Sequence, residues 1–176
     1  HAVIEDCFVQ SMNGPGGNKG VVQVESGRVE NCLVTRSTCP ASGTEEDRPG
    51  NVIQIGAKGR VTNCTVVGNT ITTRGIVFVS SSTARLVNCV IAGNEKGEGY
   101  DTVYFGGSVT DSSACVVNCV IDPEDLEATF KNYAKGDFTP AAGGPLCNAG
   151  AAWDGAPATD LAGRPRVQGR GIDIGC

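Results

Sequence analysis

Val61-Thr-Asn-Cys-Thr65 and Leu86-Val-Asn-Cys-Val90 are two copies of a phrase that occurs five times in this chain. The others are Ile4-Glu-Asp-Cys-Phe8, Val29-Glu-Asn-Cys-Leu33 and Val116-Val-Asn-Cys-Val120. The cysteines fall at Cys7, Cys32, Cys64, Cys89 and Cys119, so the intervals are 25, 32, 25 and 30 residues. A period in this range marks stacked supersecondary units, each unable to bury its apolar face alone. Within a unit the apolar residue three before the cysteine, the cysteine itself and the residue two after it (Val9, Val34, Val66, Ile91, Ile121) share one face. Period-two alternation rich in Val and Ile signals strands. The Asn or Asp before the cysteine breaks that alternation by one residue, and these residue types tolerate the left-handed backbone of a tight bend.

Upstream of four phrases lies a third apolar run: Val21-Val-Gln-Val24, Val52-Ile-Gln-Ile55, Ile76-Val-Phe-Val79 and Thr102-Val-Tyr-Phe105. Three short strands per unit, with one tight Asn bend and one loop of variable length, predict an all-β fold. Its expected form is a right-handed parallel β-helix, a solenoid of four to five coils over residues 1–121. An antiparallel sandwich also has many short strands but gives no reason for Asn-Cys to recur at matching positions. Residues 122–176, rich in Gly, Pro and Ala, are expected to form an irregular C-terminal capping module that folds over the open end, with Trp153 as a plug. Asp122 as N-cap, Pro123 at the first helical position and an acid, Asp125, at the third predict a short capped helix ahead of Leu126 to Phe130.

The phrase followed by Gly68-Asn69 and Gly93-Asn94 resembles bacterial surface proteins of the pectin-lyase-like β-helix superfamily. Phe130-Lys-Asn-Tyr-Ala-Lys-Gly-Asp-Phe138, Gly144-Pro-Leu-Cys-Asn-Ala-Gly150, Asp160-Leu-Ala-Gly-Arg-Pro-Arg166 and Gly171-Ile-Asp-Ile-Gly175 are similar to the closing module of the choice-of-anchor Q and polymorphic-outer-membrane-protein-like families. That likeness is distinctive over 115–176 and generic before it. The families' pattern goes on past Ile-Asp-Ile-Gly with a small residue, an aromatic and Glu, of which this sequence has Cys176 alone. The resemblance implies an extracellular or bacterial cell-surface location more than an activity. His1 opens the sequence already inside a repeat, which reads as the C-terminal part of a longer rod.

The net charge of −5 has no basic stripe, which argues against nucleic acid as a partner. No apolar run approaches the length of a transmembrane span. Cys7, Cys32, Cys64, Cys89 and Cys119 should stack as a column of reduced thiols, because in-register side chains on neighbouring strands point in parallel rather than converging for a disulfide. CxxC-type spacing for zinc or iron–sulfur ligation is absent. Cys147 and Cys176 are left open as bridged or free, and nine cysteines leave at least one unpaired within the chain. Asn31, Asn63, Asn88 and Asn118, with Asp6, are expected to form an amide ladder. Asn63-Cys-Thr65 also matches a glycosylation sequon, but Asn63 occupies the bend.

Catalysis in β-helix enzymes sits on the outward face of the first strand of each coil. The outward column here is Gln23, Gln54, Phe78 and Tyr104, beside a second of Val21, Val52, Ile76 and Thr102. Glycoside hydrolysis requires a pair of carboxylates, which this column lacks. It also lacks the Lys or Arg base and acid cluster of calcium-dependent lyases. The only histidine is His1, and Gly14-Pro-Gly-Gly17 lacks the residues of a phosphate loop. The expectation is therefore no catalytic residue, no metal and no cofactor, calcium being the one candidate ion, at Glu45-Glu-Asp47 with Glu98 or Asp101. Two readings of the column stay open. Gln23, Gln54, Phe78 and Tyr104 form a platform for a polysaccharide, or the face is covered by protein, including another copy in an oligomer or filament. The alternative function is the C-terminal part of a polysaccharide lyase or glycoside hydrolase whose active site lies mostly outside this segment. Arg164 and Arg166 are expected to pair with Asp160 and Asp173.

Overall fold

A computed structural model describes residues 2–10, 20–39, 50–72, 74–153 and 156–176. His1, Gly14-Pro-Gly-Gly17 and Glu45-Glu-Asp47 lie outside these residues. In chain order the strands are β1 (Ala2–Glu5), β2 (Phe8–Gln10), β3 (Val22–Glu30), β4 (Leu33–Thr35), β5 (Thr38–Cys39) and β6 (Ile53–Thr62). They continue as β7 (Thr65–Val67), β8 (Thr70–Ile71), β9 (Val77–Val79), β10 (Arg85–Val87), β11 (Val90–Ala92) and β12 (Val103–Phe105). After β13 (Val116–Val117) and β14 (Val120–Ile121) come the helix α1 (Leu126–Thr129) and the hairpin strands β15 (Phe130–Asn132) and β16 (Asp137–Pro140). A last small pair is β17 (Val167–Gln168) and β18 (Gly171–Ile172). The chain is all-β, with short helical pieces.

Two sheets organise the repeats. The first runs β1-β3-β6-β10-β13, with β9 and β12 joined through β6, and the second runs β14-β11-β7-β4-β2. Every pairing in them is parallel and joins equivalent residues of successive phrases: Val29 to Val61, Val61 to Leu86, Leu86 to Val116, and Val34 to Val66 to Ile91 to Ile121. The expected first and second strands are fused in two repeats. β6 bends so that Ile53–Ile55 pair with β9 while Arg60–Thr62 pair with β10. Gly59 permits the corner, since a Cβ there would lie 2.2 Å from the Val24 carbonyl oxygen.

The bends follow from backbone chemistry. Asp6, Asn31, Asn63, Asn88 and Asn118 all have φ between 49° and 54°, where a short side-chain amide or carboxylate is tolerated and a branched chain is not. A second bend column holds Arg36, Gly68 and Gly93 at φ 52°, 63° and 57°. After it, Ser37 N donates to Asn69 Oδ1 at 3.0 Å and Asn69 Nδ2 to Asn94 Oδ1 at 3.0 Å, a stacked amide pair. Between the sheets the inward residues form one apolar core that includes Val29, Val34, Ile53, Ile55, Val61, Val66, Val77, Leu86 and Ile91.

Three expectations are corrected. Val52 and Ile76 are fully buried and Thr102 nearly so, rather than forming an outward column. The Val52 and Ile53 amides both donate to the Ile76 carbonyl, a bend that turns two consecutive residues inward. The helix cap is Asp125, which accepts from the Ala128 amide at 2.8 Å. Asp122 instead occupies a bend at φ 48° and is bonded to Thr102. From Leu126 onward the C-terminal segment lines no part of the cleft at the β12–β13 end among the described residues. It lies along the outer face of the second sheet, where Phe130, Leu146 and Ile174 bury Val67, Val90 and Ala92. Trp153 belongs to neither apolar cluster and is partly exposed. No helix is long and apolar enough to cross a membrane among the described residues.

Candidate binding face

The first strands of four repeats set Gln23 beside Gln54, Gln54 beside Phe78, and Phe78 beside Tyr104. The four side chains are thus one row across the sheet. Phe78 and Tyr104 stack with centroids 4.8 Å apart and planes at 22°, and Tyr100 meets Tyr104 edge-on at 5.7 Å. Each stacked ring has one face covered by the other, so the row is not a flat aromatic platform. On the side away from Tyr104, the in-register neighbour of Phe78 is Gln54. Gln54 is half-buried, and its amide makes no hydrogen bond among the described residues. Gln23 Nε2 donates to Glu25 Oε1 at 2.8 Å.

Tyr104 is held by a residue two repeats away. Its hydroxyl donates to Asn51 Oδ1 at 2.6 Å and accepts from Asn51 Nδ2 at 2.7 Å. Asn51 is 1% exposed, so the phenol answers an amide that water does not reach. Gly75 makes the reach possible: a Cβ there would lie 2.7 Å from Tyr104 Cδ1 and 2.1 Å from the Asp101 carbonyl oxygen. Burial raises the Tyr104 pKa, against a smaller opposing effect of Arg74, and the phenol is neutral at physiological pH. Asn51, Tyr100, Arg74 and Glu25 were not among the residues singled out from sequence. Asn51 and Gly75 hold equivalent positions just before the bend, and a small-for-large alternation there was the available signal.

The row offers amides, a neutral phenol, an aromatic face and the neighbouring Glu25 and Arg74. These groups hydrogen-bond and stack. Acid–base cleavage of a glycosidic bond calls for two carboxylates across it, and the row's own side chains supply none. No group of three or more His, Cys, Asp or Glu able to hold a metal ion occurs among the described residues.

The cysteine phrase places Cys32, Cys64 and Cys89 at zero exposure, with Cys7 and Cys119 half-buried at the two ends. Each thiol of the last four donates to the carbonyl two residues earlier: Glu30 at 3.1 Å, Thr62 and Val87 at 3.3 Å, Val117 at 3.4 Å for Cys32, Cys64, Cys89 and Cys119. The neighbouring Cys64 sulfur and then burial hold Cys32 well above the ordinary thiol range, and burial does the same to Cys89. All nine cysteines are free, Cys147 and Cys176 among them.

The Asn column is answered partly from within and partly by the C-terminal segment. Asn31 donates to Asp6 Oδ1 at 3.0 Å and to the Thr159 carbonyl at 2.6 Å. Asn63 Nδ2 lies 3.3 Å from both the Asp173 and Gly175 carbonyls. Asn88 donates to Ala151 O and accepts from Ala151 N, each at 2.8 Å. Asn118 is exposed. Asn63, fully buried, therefore serves as a docking point for the chain's own segment. Arg164 pairs with Asp160 at 2.8 Å, whereas Arg166 donates to the Gly175 carbonyl at 2.8 Å and Asp173 accepts from the Asn148 amide. No family model, no curated protein and no solved structure matches this chain.

Proposed function

We propose that this chain is part of a right-handed parallel β-helix rod on a bacterial cell surface or outside the cell, and that it holds polysaccharide along the Gln23–Tyr104 row without cleaving it. The β-helix reading is supported by the in-register parallel pairing of successive phrases in two sheets, and by the strong preference of parallel crossovers for the right hand. The pectin-lyase-like and choice-of-anchor Q resemblances of the repeats and of residues 115–176 supply the location. The observation that carries the binding role is the partly exposed Phe78–Tyr104 stack beside Gln54, whose side-chain amide has no hydrogen bond among the described residues. An apolar face with a convergent hydrogen-bonding group suits a sugar ring, which has apolar C–H faces and a hydroxyl rim.

The test is affinity electrophoresis of the chain through gels containing neutral and uronate polysaccharides, with reducing-end assays on the same mixtures. Retardation by at least one polysaccharide is expected, weakened about tenfold in Phe78→Ala and in Gln54→Ala, which is about 1.4 kcal/mol each. Retardation that ignores both substitutions removes the row as the site. New reducing ends would move the chain to the glycoside hydrolase or lyase reading.

A further inference from the structure

Because the C-terminal segment runs along the side of the stack, the last repeat presents unpaired strand edges. In every inner repeat the residue after the cysteine donates to the previous cysteine's carbonyl: Leu33 to Cys7, Thr65 to Cys32, Val90 to Cys64 and Val120 to Cys89, at 2.9 to 3.0 Å. In return each Asn amide donates to the next repeat, Asn63 to Val87 and Asn88 to Val117, at 3.0 and 3.1 Å. The series stops at the Cys119 carbonyl and the Asn118 amide, for which no described residue supplies a partner. Beside them Val103, Phe105, Val116 and Ile121 line an open cleft of about 380 Å³, and Ile121 is 37% exposed. An unpaired edge beside a partly apolar cleft is a template for one more strand.

Charge selects what that strand is. Between Lys96 and Lys131 the sequence has no Lys or Arg, while it has Asp101, Asp111, Asp122, Glu124 and Asp125. Asp101 and Asp122 line the cleft itself. We infer that the β12–β13–β14 end of the stack captures an extended, basic segment of another protein by strand addition. Its backbone takes the Cys119 carbonyl and the Asn118 amide, its apolar residues enter the cleft, and its Lys or Arg residues meet the acidic rim. This surface shares β12 with the Gln23–Tyr104 row, but Phe78 and Gln54 lie on β9 and β6, so substitutions there test the row independently.

The experiment uses the full chain and a fluorescein-labelled nonapeptide alternating Lys and Val, with a Glu–Val nonapeptide as its counterpart. Anisotropy should rise saturably for the Lys–Val peptide and not for the Glu–Val peptide. Affinity should fall several-fold as salt is raised from 50 to 300 mM, because the rim is exposed. Ile121→Lys should weaken binding at least tenfold. Asp101→Asn with Glu124→Gln, both exposed, should weaken it several-fold at an unchanged urea midpoint, which separates charge from folding. Phe78→Ala should leave it unchanged. Amide exchange at Asn118 should slow when the peptide is bound. The inference is overturned by absence of saturable binding, by equal binding of the Glu–Val peptide, or by indifference to both Ile121→Lys and the double neutralisation. Sedimentation showing a second copy seated on this end would overturn it as well.

Discussion

Tyr104 reaches past Gly75 to Asn51 because the residue between them has no side chain, and the price of that reach is a buried amide with one partner. Tyr104→Phe keeps the ring stacked on Phe78 and removes the oxygen. Asn51, 1% exposed, is then left unsatisfied, which costs about 1–3 kcal/mol and should appear as a lower urea midpoint with an unchanged slope. A midpoint within error of the parent would show that water replaces the phenol. The thiols make a second prediction at this scale. Cys32 and Cys89 are held above the ordinary thiol range, and burial pushes Cys176 up to about 11 from an ordinary value near 9. A thiol that is harder to ionise in the folded chain stabilises the fold fully below the unfolded value. That contribution is lost as pH climbs toward the folded one, since the unfolded chain then releases protons the folded chain keeps. The urea midpoint should therefore hold between pH 7 and 8 and decline from pH 9 toward 11. Cys89→Ala should start lower at pH 7, from the cavity it leaves, and decline less. Identical declines in parent and variant would remove the buried thiols as the cause.

At the scale of elements, the second sheet is apolar on both faces. Val66 and Ile91 point to the core between the sheets, while Val67, Val90 and Ala92 point outward and are covered by Phe130, Leu146 and Ile174. Phe130 is fully buried and packs edge-on against Phe138 at 5.6 Å. Phe130→Ala should cost about 3–5 kcal/mol. Because that packing joins the C-terminal segment to the sheet, hydrogen exchange should speed up first over residues 126–176 and at the Asn63 and Asn88 side chains that hold it. Uniform acceleration through β3 and β6 would instead make segment and sheets one cooperative unit. The phrase made the parallel pairings legible, since equal spacing of Val, Asn and Cys fixes which residues lie side by side. The outer cover was legible too, in Val90-Ile-Ala92, where an unbroken apolar run means burial on both faces. The inward residues Val66 and Ile91 point only to the core, so the face on which the C-terminal segment packs is written in Val67, Val90 and Ala92 instead. The helix start was obscure for another reason: Asp122 and Asp125 are both good caps, and only the Thr102 contact and the bend at Asp122 decide between them. The Tyr104–Asn51 bond spans 53 residues and rests on the absence of a side chain at Gly75, which shows only when Asn51 and Gly75 are compared as equivalent positions of successive repeats.

For the whole molecule, the repeats contact their neighbours through one register, and that register can be tested by removing a unit. Thr65 pairs with Val90 and Val61 with Leu86. Deleting residues 65–89, which are the 25-residue interval between Cys64 and Cys89, joins Cys64 directly to Val90. It also sets Val116 where Leu86 had stacked on Val61. The first sheet then loses β9 and β10 and the second loses β7, the remaining inward residues stay inward, and the repeats on either side close up by about 4.8 Å. The bonds from Asn88 to Ala151 are lost, so the shortened chain should be less stable yet still unfold in one transition. Deleting residues 65–88 instead leaves one residue too many after Cys64. With a side-chain period of two, that slip turns Ile91 outward and Val90 and Ala92 inward along the whole of the following strand. The shorter deletion should therefore be the more damaging one, giving an aggregated or unfolded chain by circular dichroism and small-angle scattering. If stacking in register holds the molecule together, the two deletions must separate sharply. Equal behaviour, folded or unfolded, would mean that the C-terminal segment and the loops, rather than the repeated phrase, set the stability of the stack.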